Sequence, residues 1–198
     1  MNKNKSIQTS IFQKPKIGNY YCGDSYFYKE TEDAFICALA DGLGSGEHAK
    51  ESSQAVMDII EQNDDASVEQ IIKLCNKGLV GKRGVVLGVL KIDFQEKTYT
   101  FSSIGNIGLM TVTSDSNKKR NIPNSGYLGS YPKELKVLRD KLTEDMIFFM
   151  FSDGVNSKDL SYNFFLGKNV FEITDLFSRY VEPNRHDDTT LIAMKYTE

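Results

Sequence analysis

GVVLGVLKIDFQEKTYTFSSIGNIGLMTVT, residues 84–113, is where the apolar periodicity of this chain changes from helical to extended. The runs 85–92, 99–104 and 107–113 are rich in Val, Ile, Tyr, Phe and Thr. Turn-forming residues part them at 93–97 and at Gly105-Asn106, which predicts three consecutive antiparallel strands, a meander rather than βαβ alternation. Two helices stand before this stretch. The first runs from the Gly42–Gly46 segment to about Glu61, with Ala49, Val56, Ile59 and Ile60 on one face and the small residues Ser52, Ser53 and Ala55 allowing close packing. The second starts at a capping box, Ser67 with Gln70, and repeats Val68, Ile71, Ile72, Cys75 and Leu79 at helical spacing. Further strands are expected at 8–13, 26–29, 33–41, 146–151 and 189–196, and a helix at 169–180. Strands in runs around a pair of helices predict an α+β fold. They are too many for one sheet of usual size, so two stacked, mainly antiparallel sheets are expected.

The 198 residues are 40% hydrophobic and 26% charged, with a net charge of -3. That composition excludes intrinsic disorder. The longest apolar runs, 34–40 and 85–90, are far shorter than the roughly 20 residues a bilayer span needs, so no membrane association is expected. The N-terminal MNKNKSIQTS lacks the apolar core of a secretory signal. Cys22, Cys37 and Cys75 are odd in number and lack C-x-x-C spacing, which argues against a disulfide framework and a thiolate zinc site. The expectation is one reduced, cytoplasmic domain over residues 1–198. With 24 basic against 27 acidic residues there is no long-range pull toward nucleic acid. Lys3, Lys5, Lys14 and Lys16 make a mildly basic start, read as the guard of an edge strand.

Several chemistries are missing. No Cys has an Arg six residues on, as a cysteine phosphatase requires. There is no D-x-D pair for an aspartyl-phosphate enzyme and no G-x-x-x-x-G-K-[ST] loop. His48 and His186 are too few for a histidine-rich metal site and read as surface residues. Gly42–Gly46 follows a strand and opens a helix as a dinucleotide loop would. Its spacing, however, is G-x-G-x-G, and Asp41 would oppose a pyrophosphate. What remains is acid at strand ends: Asp24, Asp41, Asp153 and the pair Asp187-Asp188. Asp-Gly is a favoured turn pair, so turn chemistry is the plain alternative. Yet Asp41 and Asp153 each end a strongly apolar run, FICALAD and MIFFMFSD, with no Arg or Lys within three residues. A carboxylate there is costly unless something positive compensates it. Carboxylates converging without cationic partners are what Mg²⁺ or Mn²⁺ requires: oxygen ligands and no sulfur.

Taken in order, CGDS (22–25), ALADGLGSGEHA (38–49), SSIGN (102–106), SGYLG (125–129), FSDG (151–154) and DDTTLI (187–192) resemble the PP2C superfamily of metal-dependent serine/threonine protein phosphatases. The likeness is to the short bacterial branch typified by SpoIIE. Within that branch, Cys75-Asn76, the segment 81–84 (Gly-Lys-Arg-Gly) and 125–128 are similar to feedback phosphatases of stress signalling. The resemblance implies an αββα four-layer sandwich with two Mn²⁺ or Mg²⁺ ions at one end. Asp24 and Asp41 would hold the pair, the Gly42 carbonyl would serve one ion, and Asp153 and Asp187 would complete the other, with Asp188 supporting. A water shared by the two ions would lose its proton and attack a phosphoserine or phosphothreonine phosphorus in line. The implied substrates are phosphorylated stressosome scaffold proteins, the implied role negative feedback on the general-stress sigma factor. Two alternatives stand: a catalytically silent binding module, or the same chemistry on an anti-sigma-factor antagonist. The animal enzymes carry an Arg ahead of the first acidic motif and a His after the second; here no Arg precedes Asp24, and Leu43 takes the His place. Lys82 and Arg83 are candidates for the phosphate anchor, Tyr127 in the loop 124–131 for substrate contact, and His186 for the proton donor.

Overall fold

The computed structural model describes residues 6–129 and 135–198. Among these residues ten strands and three α-helices follow in the order β1 (Ile7–Lys14), β2 (Asp24–Glu30), β3 (Ala34–Gly42), α1 (Glu47–Glu61), α2 (Val68–Gly78), β4 (Val85–Asp93), β5 (Thr98–Ile104), β6 (Gly108–Val112), β7 (Lys118–Arg120), β8 (Val137–Lys141), β9 (Ile147–Phe151), α3 (Val170–Tyr180) and β10 (Thr189–Tyr196), with two short 3-10 turns between β9 and α3. They form two five-stranded antiparallel sheets, ordered β1-β10-β9-β6-β7 and β2-β3-β4-β5-β8. The expected four layers are present: α1 and α2 cover the second sheet, and α3 covers the first.

Period-two alternation builds the layers. On β3, Phe35, Cys37 and Leu39 enter the core between the sheets, while Ile36, Ala38 and Ala40 meet the helices. On β9, Phe148 and Met150 face inward, and Ile147, Phe149 and Phe151 pack under α3. Each central strand is covered on both faces, so it reads as a continuous apolar run rather than an alternating one. The helix starts follow their caps. Ser67 and Gln70 exchange side-chain and backbone bonds at the head of α2, and the Asn169 side chain accepts from the N–H groups of Phe171 and Glu172 at the head of α3.

The meander is corrected by the topology. β4 and β5 form a hairpin, but β6 pairs with β7 and β9 in the other sheet. Gly105-Asn106 therefore carries the chain across the sandwich, with Ile107 buried between the sheets. β6 is buried along its whole length, so its sequence fits either sheet equally well. Two short strands fall outside those expected from the sequence: β7 is a basic edge strand, and β8 is a half-exposed edge strand with no apolar signature. The edge position expected for the first strand is found, and Lys14 donates to the Pro183 carbonyl (2.8 Å); Lys3 and Lys5 lie outside the described residues.

Ser67→Ala removes half of the α2 capping box and is expected to cost about 1 kcal/mol. Urea unfolding checks this through a lower midpoint at unchanged m-value.

Candidate metal centre

Both sheets end at one rim, and the aspartates meet there. Asp24 opens β2 and stands directly opposite Asp41 at the end of β3. Asp153 follows β9 by two residues, and Asp187-Asp188 precede β10. Two glycines allow the approach. A Cβ at Gly42 would collide with the Ala49 carbonyl of α1, and one at Gly154 would collide with the Asp188 carbonyl. The Asp-Gly pairs are thus more than turn chemistry: each glycine is the point where another backbone presses against the acidic strand end.

Asp24 is fully buried and joins the two sheets. Its Oδ2 accepts from Ser152 Oγ (2.8 Å) and Thr190 Oγ1 (2.6 Å), both on the opposite sheet. Its Oδ1 is buried without a hydrogen-bond partner. Burial drives the Asp24 carboxyl up to about 7 against the pull of the two hydroxyls, and Asp188 and Asp153 add to the rise. Asp41 is raised to about 8, first by burial and then by Asp24, Asp153, Asp187 and Asp188. Asp153 is raised by partial burial and by Asp187, and it accepts from Asn106 Nδ2 (2.5 Å). The nearby ammonium of Lys50 is committed to the Asp24 carbonyl and Ser25 Oγ (both 2.9 Å), not to a carboxylate.

These features fit divalent cations: an all-oxygen donor set, an unpaired buried carboxylate oxygen, and mutual repulsion that only positive charge relieves. Among the described residues no three His, Cys, Asp or Glu side chains stand close enough to grip one ion between them. A magnesium-type site does not require that, because the ion keeps several waters and takes one or two carboxylates.

Asp188 behaves differently from its neighbour. Its two oxygens accept from the backbone N–H groups of Lys16 and Gly23 (2.9 Å each), so it binds the loop after β1 to the rim while Asp187 stays exposed. Arg83 lies over the loop after Gly42, with Nη1 3.5 Å from the Leu43 carbonyl, whereas Lys82 is an exposed turn residue. Tyr127, 46% exposed, and Leu43 both lie against Gly84; Tyr131 lies outside the described residues. His186 and His48 are exposed, and the latter contacts Glu51. All three cysteines are free thiols.

Sequence reasoning missed the supports. Ser152, Thr190 and Asn106 hold carboxylates directly. Arg185 donates to the Gly154 carbonyl and grips both oxygens of Asp159 (2.8 Å each), with side chains only 11% and 6% exposed. That pair fixes the loop bearing Asp187 onto the turn bearing Asp153. Arg185 lies two residues before Asp187, the one hint the sequence carried.

The fold is that of the PP2C phosphatases: the PP2C domain of SpoIIE from Bacillus subtilis superposes with a TM-score of 0.80 at 20% identity, over 98% of this chain and 64% of that one. The catalytic domain of the serine/threonine phosphatase PstP, solved with two manganese ions, superposes at 0.72 and 14% identity, over 97% of this chain and 99% of that one. Sequence narrows the class. "Phosphoserine phosphatase RsbX" of Bacillus subtilis (strain 168) is 36% identical over 192 residues, 97% of this chain and 96% of the relative. A crystal structure of RsbX with magnesium superposes at TM-score 0.89 and 34% identity, over 99% and 98% of the two chains. The chain belongs to the RsbX family of PP2C-type phosphatases. A scan against family models gave no match.

The raised carboxyls fix a pH dependence. Between the ordinary carboxyl range near 4 and about 8, the folded chain holds protons that the unfolded chain releases, so stability falls as pH rises. In chelator, Tm is expected to drop from pH 5 to pH 8; Mn²⁺ restores it at pH 8 and does little at pH 5. Asp41→Asn should flatten the slope. A metal-free Tm that rises over this interval would contradict the assignment.

Proposed function

We propose that the chain is a Mn²⁺- or Mg²⁺-dependent phosphoserine and phosphothreonine protein phosphatase of stress signalling. It removes phosphate from stressosome scaffold proteins and so resets the signal reaching the general-stress sigma factor. The whole span 1–198 is read as one phosphatase domain acting in the cytoplasm; no helix among the described residues is long and apolar enough to cross a membrane. The observation that carries the reading is the buried, unpaired Oδ1 of Asp24 among further carboxylates on one rim.

In this reading Asp24 and Asp41 would hold the pair of ions, the Gly42 carbonyl would serve one of them, and Asp153 and Asp187 would complete the other. Two such ions neutralise phosphoryl charge and acidify water, which removes the need for a nucleophilic side chain. Ser152 and Thr190 hold Asp24 so that one oxygen stays available. Asn106 does the same for Asp153, and the backbone bonds of Asp188 keep its own carboxylate in a supporting role. Arg83 is the cation poised over the loop after Asp41, where a planar fork can take phosphate oxygens. Lys82 is the weaker candidate, and Tyr127 with Leu43 forms an apolar wall beside the rim. The retained acids speak against a silent binding module.

Hydrolysis of a phosphoserine peptide with Mn²⁺, with chelator, and with Asp41→Asn and Asp153→Asn tests this. Turnover should need the metal, and each variant should lose more than the roughly 10–100-fold typical of a residue that only supports a ligand. Turnover indifferent to chelator would refute metal dependence. Partner binding without turnover under any metal would favour the module, and preference for a phosphorylated anti-sigma-factor antagonist over scaffold protein would move the substrate.

A further inference from the structure

A second feature lies along the open side of the sandwich, where β7 ends one sheet and β8 ends the other. Between them is a cavity of about 330 Å³ that shares no lining residue with the acidic rim. Its floor is apolar, built from Tyr99, Phe101, Leu109 and Leu138; its margin carries the cations Lys119 and Lys136, while Arg120 lines it with its guanidinium turned away to the α3 face of the sheet. No acidic side chain among the described residues lines it. Lys119 is answered by Asp140 just outside (2.9 Å), and Arg120 lies over the Phe151 ring and reaches Ser157. Lys136 has no ion-pair partner among the described residues.

Lysines on a sheet edge are commonplace, since they discourage edge-to-edge pairing. Two further observations mark this one. Ser103, only 1% exposed and part of the lining, leaves its Oγ buried without a hydrogen-bond partner, and buried polar groups are ordinarily satisfied. The lining also runs directly to the rim. Asn124 Nδ2 donates to the Ser103 carbonyl (3.0 Å), the Asn124 carbonyl accepts from Gly105, and Asn106 then holds Asp153.

We infer that this groove binds an extended, acidic segment of polypeptide, the stretch flanking the phosphorylated residue of the substrate. Sheet edges offer backbone donors and acceptors to an extended chain, and alternate side chains of that chain can enter apolar pockets. Cations around an apolar floor, with no acid among the described lining residues, select acidic and apolar side chains over basic ones. The inference rests on the phosphatase reading for its role but not for its binding chemistry. The acidic rim repels such a segment, so the groove supplies attraction where the rim cannot.

The test uses the full chain and two phosphoserine peptides of equal length, one with Asp, Glu and Leu around the phosphoserine and one with Lys replacing the acids. p-Nitrophenyl phosphate serves as a substrate without flanks. Wild type is expected to favour the acidic peptide in kcat/KM by about tenfold, the scale of two exposed charge pairs. Lys119→Glu/Lys136→Glu should abolish or invert the preference through KM and leave p-nitrophenyl phosphate turnover within about twofold; Lys136→Ala, at an exposed site, should halve the preference or better. The unphosphorylated acidic peptide, labelled and followed by fluorescence anisotropy on metal-free protein, should bind wild type and lose affinity in the same variants. Equal kcat/KM for the two peptides, or a preference unchanged by the charge reversals, overturns the groove. Groove-dependent binding without hydrolysis of any phosphate would uphold the groove and overturn the phosphatase reading instead.

Discussion

Asp24 and Asp41 face each other across paired strands, and like charges in that register destabilise a sheet. The rest of this end of the molecule is organised around that repulsion. Ordinary folds would relieve it with an arginine. Here the nearby ammonium of Lys50 is spent on a carbonyl and a hydroxyl, and only one oxygen of Asp24 is satisfied. The fold therefore holds the acids together against their own charge, and in the proposed reading cations from outside supply the compensation. In the proposed reading stability and function are opposed at this rim: the arrangement that would attract divalent ions is the one that raises the carboxyls and weakens the metal-free chain near neutral pH.

Holding carboxylates in place against repulsion requires stiffness, and it comes from neutral or internally paired groups. Ser152 and Thr190 reach across from the other sheet, so Asp24 also serves as a strut between the layers. Asp188 is tied down by two backbone N–H groups. Arg185 and Asp159 form a nearly dry ion pair whose third contact is the Gly154 carbonyl. Such a pair returns little net stability once desolvation is counted, yet breaking one partner leaves a buried charge. Its value here is position, since it fastens the loop of Asp187 to the turn of Asp153 without placing free positive charge among the acids.

The legibility of this architecture follows burial. The strand ending in Asp41, the helix capped by Ser67 and the closing strand are plain in the sequence because strong apolar periodicity, and for the helix cap chemistry, mark them. The sheet exchange at Gly105-Asn106 is not, because β6 is covered on both faces and an apolar run does not record which sheet it joins. β7 and β8 escape notice for the opposite reason: three basic residues and a half-exposed VLRDK carry no periodic signal. At the rim the acids stand out as unpaired charge at the ends of apolar runs. Their supports, Ser152, Thr190, Asn106 and the Arg185–Asp159 pair, are common residue types whose role exists only through contacts made across the sandwich.

The acidic rim by itself is indifferent to what carries the phosphate. Its donors are carboxylates and carbonyls, which suit metal ions, and it offers a partner protein only repulsion. Leu43, the residue after Gly42, is apolar, and it lies with Tyr127 against Gly84. Discrimination among phosphoproteins must then come from surfaces bordering the rim. On one border lie Leu43 and Tyr127 beneath Arg83; on another, beyond Asn106 and Asn124, lies the basic groove between the two sheet edges. The first border is set by the turn 79–84 between α2 and β4, the second by the segment 105–128 that crosses between the sheets. The same crossover that the apolar pattern conceals thus places positive charge next to a negative site without letting the two neutralise each other.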